Sequence, residues 1–339
     1  MVYTFELIKH ANIRYRDSLC LLAQFELSVM LQSISVEAEI IAETIGGAQF
    51  LTFESRELSE DELSYLSGHS AIVFMASRQG LLLNPLSAPS PSYLSEDLPE
   101  VLKYKGKTSV TFTRMMINVA LSLSSCQPEE KTRLLFDPLC GKGTTCFCAL
   151  TAGMNAVGLD VNRKEIKEAS DYFSRYLKFH KLKHTVSERS ETVGKETVPL
   201  TEFTFANTKE RFHQGDSRHL TLACADSGFS FSLFRRHSAN LLVADFPYGV
   251  QHAASAGSRP EPLQVFLHRI LPAWKSSLSA GGIAALSFNS LTLPSSVVRK
   301  EFRQAGFILP DQEIFDHLAH HVEQAVVRDV VFALNPKEV

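Results

Sequence analysis

The sequence predicts an α/β fold, in which a mostly parallel sheet carries helices on both faces and an antiparallel strand near the carboxyl terminus. Short apolar segments of strand length alternate with amphipathic helical segments beyond about residue 110, and such alternation is typical of a parallel sheet. Only loop separates the last two predicted strands, which is too little chain for a crossover helix. We therefore expect these two strands to pair antiparallel.

A smaller α/β domain is predicted ahead of this sheet. Residues 19–31 have the pattern of a helix, and residues 71–76 have that of a strand. Residues 83–91 contain three prolines and indicate a linker or boundary. We therefore divide the chain into residues 1–95, which either recognise a substrate or only pack, and residues 96–339.

Composition indicates a globular protein with a sizeable core. Of the 339 residues, 45% are hydrophobic and 21% are charged. No apolar run reaches about 18 residues, and the first residues lack the basic-then-apolar order of a signal peptide, so we expect a cytoplasmic protein without a membrane span. The six cysteines form no Cys-x-x-Cys pair, which predicts reduced thiols and no metal site. The net charge of −3 implies that any nucleic-acid contact is local.

Strands and helices of the second domain follow one another in turn. One predicted helix covers residues 111–122 and a second begins at Thr144. A third follows an Asn162 cap and runs to about His180. A polar segment without periodicity, residues 185–210, is interpreted as an insertion or long loop. The predicted strands cover residues 134–136, 155–159, 240–244, 283–288, 307–309 and 326–334. Because ligands of open α/β sheets bind at the carboxyl ends of strands, polar residues that follow a strand are the candidate site residues.

A glycine loop, residues 137–145, directly follows the first of these strands and opens a helix. Its sequence is Asp137-Pro138-Leu139-Cys140-Gly141-Lys142-Gly143-Thr144-Thr145. It is not a phosphate-binding P-loop, because no glycine lies five residues before Gly141. It is a weak match to a dinucleotide fingerprint, because Cys146 stands where a third glycine is needed. The remaining possibility is an adenosine-type ligand without phosphates, which would approach the glycine backbone while Asp137 engages an ammonium group.

Two acids are candidates for the rest of such a ligand. Asp160, followed by Val161, lies 17 residues after Gly143, about the interval at which an acid accepts both ribose hydroxyls. Asp216, followed by Ser217, comes after a segment that we interpret as a third strand, and it is a candidate acceptor for an adenine amino group. The alternatives are a helix amino-terminal acid for Asp160 and a turn or cap for Asp216.

The segment Asp245-Phe246-Pro247-Tyr248 is the candidate catalytic site. An amine conjugated to a ring is a poor nucleophile because its lone pair is delocalised. The Asp245 carboxylate and the Phe246 carbonyl can both accept its hydrogens, which favours a more tetrahedral nitrogen whose lone pair can attack. Pro247 holds Phe246 extended, and Tyr248 can stack on a planar base or amide. The alternative is an ordinary strand followed by a Pro-Gly turn, which has the same pattern. Because the glycine loop and the two acids precede this segment in order, we favour a catalytic site.

These motifs resemble those of class I, Rossmann-like S-adenosylmethionine-dependent methyltransferases over residues 103–339. The glycine loop is similar to the Asp-Pro-Phe-Cys-Gly-Ser-Gly-Thr loop of that superfamily. The candidate catalytic segment resembles the (Asp/Asn)-Pro-Pro-(Tyr/Phe) motif of its amino-methyltransferases, above all that of the tRNA guanosine-N2 methyltransferase family. The resemblance implies S-adenosylmethionine as the cofactor. The cofactor-binding residues it implies are Thr108, Asp137, Leu139, Cys140, Gly141, Gly143, Thr144, Asp160, Val161, Asp216 and Ser217.

Thr108 belongs to residues 107–112, which resemble a segment that some amino-methyltransferases place before the glycine loop. There, a threonine lies near the methionine carboxylate of the cofactor; the alternative role for Thr108 is a helix N-cap. Two features depart from the family pattern. Phe246 replaces the first proline, which leaves the carbonyl available but can shift base preference. Residues 1–95 do not have the pattern of the family's usual RNA-binding module.

The resemblance implies methyl transfer to a nucleobase exocyclic amine, with guanine N2 in tRNA or other RNA as the first hypothesis and the base unstacked from its helix. Residues 1–95 and the basic stretch between Arg163 and His184 are the candidate RNA contacts, although the basic stretch equally fits a solvated helix face. One alternative is a DNA adenine or protein glutamine acceptor; Asp245 favours a nucleobase, because glutamine enzymes more often have Asn there. Another is a non-catalytic RNA-binding protein with a vestigial cofactor fold, which the intact motifs oppose.

Overall fold

The computed structural model describes residues 1–9, 13–87, 92–102, 107–125, 132–229, 238–246, 261–323 and 325–337. The first part of the chain forms a five-stranded antiparallel sheet in the order β2-β3-β1-β4-β5, and two helices pack on one face of it. Its elements are β1 (Val2–Leu7), α1 (Ile13–Ser33), β2 (Ile41–Ile45), β3 (Ala48–Glu54), α2 (Glu60–Leu66), β4 (Ile72–Gln79) and β5 (Leu82–Pro85). Alternation along β1 and β3 places their aromatic and aliphatic side chains on the helix-covered face.

The second part forms a nine-stranded mixed sheet in the order β13-β14-β12-β11-β6-β7-β10-β9-β8. Its first elements are α3 (Leu98–Val101), α4 (Val110–Leu123), β6 (Leu134–Asp137), α5 (Thr144–Thr151), β7 (Asn155–Asp160), α6 (Arg163–Phe179), β8 (His184–Val193), β9 (Glu196–Phe205), α7 (Lys209–His213) and β10 (Arg218–Cys224). The remaining elements are β11 (Ala239–Asp245), α8 (Leu263–Ser277), β12 (Leu278–Asn289), α9 (Ser295–Gln304), β13 (His320–Glu323) and β14 (Val326–Leu334).

The five central strands of this sheet are parallel, and the strands at both edges are antiparallel. Helices α4, α5 and α6 cover one face, and α8 and α9 cover the other. Strand β11 is apolar at nearly every position because both of its faces are buried. The predicted fold class, a Rossmann-like sheet that is mostly parallel with an antiparallel carboxyl-terminal strand, is confirmed.

Helix α1 packs against both sheets. One of its faces contributes to the core of the first sheet, and another packs against α4. There, the Phe25 ring lies 5.2 Å from Phe315 and 6.1 Å from Phe332 between ring centroids. Between the sheets, Tyr93 donates its N–H to the Thr151 carbonyl at 2.6 Å, and Leu98 is buried in the core of the second part. A domain division near residue 95 therefore stays a prediction, because this segment packs on the second sheet.

Two sequence predictions in this part are wrong. The segment predicted as an insertion or loop, residues 185–210, is mostly a hairpin, β8–β9, that extends the sheet beyond β10. Its cross-strand pairs are polar on one face, so the hydrophobic alternation that indicates a strand is weak. Residues 307–309 are not a strand in the ladder; Ile308 makes a single antiparallel bridge to Leu334. None of the helices in the described part of the chain combines the length and apolar character that a bilayer span requires.

Candidate functional site

Three predicted site acids gather at the carboxyl edge of three neighbouring parallel strands. Asp160 ends β7, Asp137 ends β6 and Asp245 ends β11. From β6 the chain proceeds to β7 and β10 on one side, and then returns to β11 on the other side of β6. The strand order therefore reverses between β6 and β11, and such a reversal is where open α/β sheets bind ligands.

The glycine loop is fixed in a conformation that requires its glycines. Gly141 and Gly143 have φ of +49° and +87°, in the left-handed region. A Cβ at Gly143 would lie 3.1 Å from the Phe147 ring, so the loop also passes close to α5. The Cys140 N–H donates to the Leu159 carbonyl at 2.8 Å, which ties the loop to the end of β7. The loop backbone is therefore held in place before any ligand arrives.

The cysteines beside this loop fill space. A Cβ at Gly158 would lie 2.8 Å from Cys140 Sγ and 3.0 Å from Cys146 Sγ, so strand β7 needs glycine there. A hydrogen bond with Cys146, together with burial, raises the pKa of Cys140 well above its ordinary value. Both are free thiols, as is Cys148. Within the ranges that the structure describes, no group of His, Cys, Asp and Glu side chains is arranged to hold a metal ion.

Asp160 is held by backbone N–H groups on both of its oxygens. Gly141 N–H donates to Oδ2 at 2.9 Å, and Asn162 N–H donates to Oδ1 at 2.8 Å. An ionised carboxylate offers about four acceptor positions, so Asp160 keeps acceptor capacity for two hydroxyls. Asn162 caps α6 by accepting from Lys164 and Glu165, so Asp160 is not needed as the helix cap.

Asp137 is buried, with 2% of its surface exposed. Burial raises the pKa of its carboxyl to about 7, although hydrogen bonds from the Leu139 N–H and from Thr145 lower it. The charges of Asp160 and Asp245 raise that pKa further. Three carboxylates thus converge on one edge of the sheet, and their combined field favours a cationic ligand.

Asp245 lies in a cluster of side chains from separate elements, which we call the Asp245 cluster: Thr108, Asp245, Ser287 and Arg328. The Thr108 hydroxyl donates to Oδ2, and the Ser287 hydroxyl donates to Oδ1 at 2.5 Å. A guanidinium nitrogen of Arg328 lies 3.7 Å from Oδ2. Sheet register produces this arrangement, because Ser287 is the β12 partner of Asp245 and Arg328 lies on the next strand, β14.

Arg328 is the buried cation of this cluster. Its side chain is only 4% exposed and lies over the Phe112 ring, 5.0 Å from the centroid. A buried charge requires a compensating partner, and Asp245 supplies the opposite charge. Its β13 partner is His320, whose pKa burial lowers to about 4, so this imidazole adds no positive charge at neutral pH.

Phe246 anchors the chain where it leaves the sheet. Its N–H donates to the Ser287 carbonyl at 2.7 Å, and its ring is buried 5.5 Å from the Phe266 centroid. The ring therefore occupies a core position, which fixes the backbone at the residue that stands where the amino-methyltransferase motif has its first proline. Pro247 and Tyr248, the remainder of the predicted catalytic segment, lie outside the described residues.

The predicted adenine contacts, Asp216 and Ser217, are at the wrong end of their strand. They precede β10, whereas β10 is parallel to β7 and ends at Cys224. Asp216 instead pairs with Arg218 at 2.8 Å. The strand interpretation of residues 212–215 is wrong, because this segment is the end of helix α7 and the turn that follows it.

The acid that the structure places after β10 is Asp226, which the sequence analysis missed. It accepts from the Gly228 N–H at 2.7 Å and from Arg269 at 2.9 Å, and the Ala225 N–H beside it donates to the Asp160 carbonyl. Alternation of Leu220 and Leu222 before this acid was the available signal. Ser287 and Arg328 were missed too, and no spacing in the sequence indicates them.

The other predicted residues lie around the glycine loop or beside it. Leu139 is half-buried in the loop, Thr144 is the first residue of α5, and Val161 is 44% exposed next to Asp160. The N-cap of α4 is Ser109, so the alternative role for Thr108 as a cap is wrong. Thr108 contacts Asp245 in this structure, and its predicted contact with a cofactor stays a prediction.

No family model and no curated protein matches this chain. TrmN from Thermus thermophilus is 16% identical, with a TM-score of 0.40; the match covers 88% of this chain and 59% of the TrmN chain. An rRNA methylase from Streptococcus thermophilus is 11% identical over 69% of this chain and 100% of its own, with a TM-score of 0.36. A TehB-like SAM-dependent methyltransferase from Corynebacterium glutamicum is 13% identical over 61% and 80%, with a TM-score of 0.33. Similarity of this extent assigns no substrate to the chain.

Proposed function

We propose that this protein transfers a methyl group from S-adenosylmethionine to an exocyclic amine of a nucleobase, with guanine N2 in tRNA or another RNA as the acceptor. One observation carries the proposal. A glycine loop with an acid after the next strand, and a second acid beside a buried aromatic anchor, meet at the same reversal of strand order. The first pair suits a nucleoside cofactor and the second suits an amine acceptor. We place this activity in the cytoplasm.

The residues on the cofactor side fit S-adenosylmethionine, which supplies a methyl group made electrophilic by a positive sulfonium. Asp160 has acceptor positions left for two ribose hydroxyls. Asp137 stands in the glycine loop where it can pair with an ammonium group, and the glycine backbone permits close approach. Because three carboxylates face this edge, the positive charges of the cofactor complement the field of the protein.

The residues on the acceptor side fit an uncharged amine. Asp245 and the Phe246 carbonyl accept the two amine hydrogens, which localises the nitrogen lone pair for attack on the methyl carbon. As the N–C bond formed, the S–C bond of the sulfonium would break and leave its electron pair on sulfur as a neutral thioether, and the surplus proton of the amine would pass to the Asp245 carboxylate. Arg328, buried 3.7 Å from Asp245, offsets part of the charge of this carboxylate and so weakens its attraction for a protonated amine such as a lysine side chain. A neutral base amine needs only hydrogen-bond acceptors, which Asp245 retains.

The experiment is isothermal titration calorimetry of the purified protein with S-adenosylmethionine. We expect saturable binding in the micromolar range. Transfer is then followed with radiolabelled cofactor on unfractionated tRNA, rRNA, duplex DNA and a glutamine-containing protein extract. Incorporation of label into RNA supports the proposal. Incorporation only into DNA or protein shows that the acceptor is not RNA and contradicts that part of the proposal. Absence of cofactor binding at millimolar concentration contradicts the proposal altogether.

A further inference from the structure

Charge is distributed unevenly along this chain. Residues 1–95 contain 11 acidic residues and only 5 lysines and arginines. Phosphate contacts require local positive charge. The amino-terminal part is therefore net acidic, and most of the positive charge that phosphate contacts require lies in the second part of the chain.

The basic stretch along α6 consists of two different halves. At its amino-terminal half, Lys164 lies 4.0 Å from Glu168 and Lys167 lies 2.8 Å from Asp171, each one helical turn away. Lys167 thus pairs with an acid of its own helix, whereas Glu168 pairs more closely with Lys142, at 2.5 Å, than with Lys164. Beyond Asp171 the sequence contains no acid until Glu188. The carboxyl-terminal half therefore carries positive charge that its own helix does not neutralise.

We call this second half, together with the residues that follow it, the basic end of α6. Arg175, Lys178 and Phe179 lie in the helix, and Lys181 and Lys183 lie just after its last residue. All four cationic side chains are exposed, and across the described ranges none of them lies within 4 Å of a carboxylate. The nearest acidic group recorded in this region is Asp97, which lies 4.0 Å from His180. Four unneutralised cations within nine residues form a surface that attracts a polyanion.

An aromatic side chain lies in the middle of these cations. The Phe179 side chain is 82% exposed, at the last residue of α6. Helical spacing places it on the same side as Arg175, four residues earlier. The His180 ring lies 5.0 Å from the Phe179 ring and 4.3 Å from the Tyr176 ring between centroids. His180 therefore packs between the exposed Phe179 side chain and the buried Tyr176 side chain. Exposed aromatics between cations are the means by which proteins bind unpaired nucleotides, through base stacking and phosphate contacts.

We propose that the basic end of α6 binds an unpaired segment of RNA, with phosphates on its cations and one base stacked on Phe179. The identification of this RNA as the substrate rests on the proposed function; the binding itself does not. Helix α6 has 17 residues, so Phe179 lies about 25 Å from the Asp160 end of the helix at about 1.5 Å per residue. An RNA that occupies both places must span at least this distance. The substrate class is therefore an RNA of several nucleotides or more with an accessible loop or single strand, and not a free nucleotide.

The test measures RNA binding without cofactor by fluorescence anisotropy. The probes are fluorescein-labelled unfractionated tRNA and a labelled 20-nucleotide polyuridine, titrated between 50 and 200 mM KCl, which spans roughly the range where phosphate contacts are most visible. The charge variant combines Arg175→Gln, Lys178→Gln, Lys181→Gln and Lys183→Gln. We expect it to bind about 10- to 100-fold more weakly and to reduce the salt slope by about 3, because four phosphate contacts are lost.

Phe179→Ala tests the stacking contact separately. We expect a loss of about 5- to 100-fold at an unchanged salt slope, with Phe179→Trp binding as the wild type does. The matched control combines Lys164→Gln and Lys167→Gln, which removes two cations of the same helix that each have a carboxylate within 4.0 Å. It should change affinity less than about twofold. All of these side chains are exposed, so the melting temperature should be that of the wild type.

Three results overturn the proposal: wild-type protein that binds neither RNA at 50 mM KCl, a charge variant that binds like the wild type, or a control that loses as much as the charge variant. Duplex DNA serves as a further competitor. If Phe179→Ala leaves RNA binding unchanged, the stacking contact is wrong. Failure of the proposed function is distinguishable, because cofactor calorimetry is done without RNA and RNA anisotropy without cofactor.

Discussion

On the cofactor side of the site, backbone N–H groups hold the carboxylate of Asp160, whereas on the acceptor side, side chains hold the carboxylate of Asp245. The donors to Asp160 belong to Gly141 and Asn162, within one strand-loop-strand unit. The Asp245 cluster draws on the start of α4 and on strands β12 and β14. One side is built from adjacent chain, and the other is built from contacts across the sheet.

This difference teaches that the two sides can be changed independently. A substitution in the glycine loop or at Asp160 should alter cofactor affinity. A substitution at Asp245, Ser287 or Arg328 should alter the rate of transfer at saturating cofactor. Asp137, whose pKa responds to both Asp160 and Asp245, links the two sides electrostatically.

The largest effect is expected from Asp245→Ala. Transfer should fall by about 1,000-fold or more, because an acceptor that acts on the reacting amine is lost. The dissociation constant for S-adenosylmethionine, measured by calorimetry, should change less than about threefold. The thermal melting temperature is the control, since the substitution also removes a carboxylate that lies 3.7 Å from the buried Arg328. A folded variant with wild-type turnover shows that Asp245 is not catalytic.

Asp160→Ala should act on the other side. We expect the dissociation constant for S-adenosylmethionine to rise by about 100-fold, because two hydrogen bonds to a charged group are lost. At saturating cofactor the transfer rate should stay within about threefold of the wild type. Asp171→Ala, an exposed acid on α6, is the matched control and should leave both quantities unchanged. The independence of the two sides is refuted by a large fall in saturated rate with unaltered affinity.

Arg328→Met should lower the saturated transfer rate by about 10-fold while cofactor affinity stays constant, because Asp245 loses one of the groups that position it. Arg328→Lys retains the charge and should restore part of this rate, which a merely structural role would not predict. Rates and calorimetric affinities are measured on the same preparations. Arg328 is not a positioning residue of the acceptor side if Arg328→Met and Arg328→Lys lower the saturated transfer rate equally. The same conclusion follows if the affinity for S-adenosylmethionine falls and the saturated transfer rate does not.

The smallest effect concerns pH. Burial raises the pKa of Asp137 to about 7, so this carboxyl is increasingly protonated below that pH. A cationic cofactor favours the ionised form, so its binding must release this proton. The dissociation constant should therefore rise by about 5- to 10-fold between pH 7.5 and pH 6. Asp137→Asn should bind more weakly with a flatter pH profile; a wild-type profile without slope contradicts the assignment of Asp137 to the ammonium group.

The same contrast explains which parts of the site the sequence could predict. Asp137, Gly141, Gly143 and Asp160 lie within 24 residues, and their order fixes their common edge. Ser287 and Arg328 reach Asp245 only through strand register, which no local pattern encodes. The third parallel strand comes later in the sequence than expected, because a polar hairpin of two ten-residue strands precedes it: His184–Val193 and Glu196–Phe205. The sequence therefore wrongly predicted Asp216 as the acid at the carboxyl end of that strand.

Phe246 shows a different limit. The motif assigns a role to its carbonyl, but no pattern in the sequence explains why phenylalanine stands where the motif has proline. In the structure the ring lies in the core against Phe266, and the N–H bonds to Ser287. Packing thus restrains this backbone where the family's proline would restrain it.

Mass spectrometry of nucleosides from total tRNA and rRNA, in cells with and without the gene, tests the central claim most directly. We predict that N2-methylguanosine at one or a few positions disappears without the gene. Wild-type protein should restore it, and Asp245→Ala should not, although that variant still binds S-adenosylmethionine. An unchanged set of methylated nucleosides in both RNA pools, or restoration by Asp245→Ala, would contradict the account.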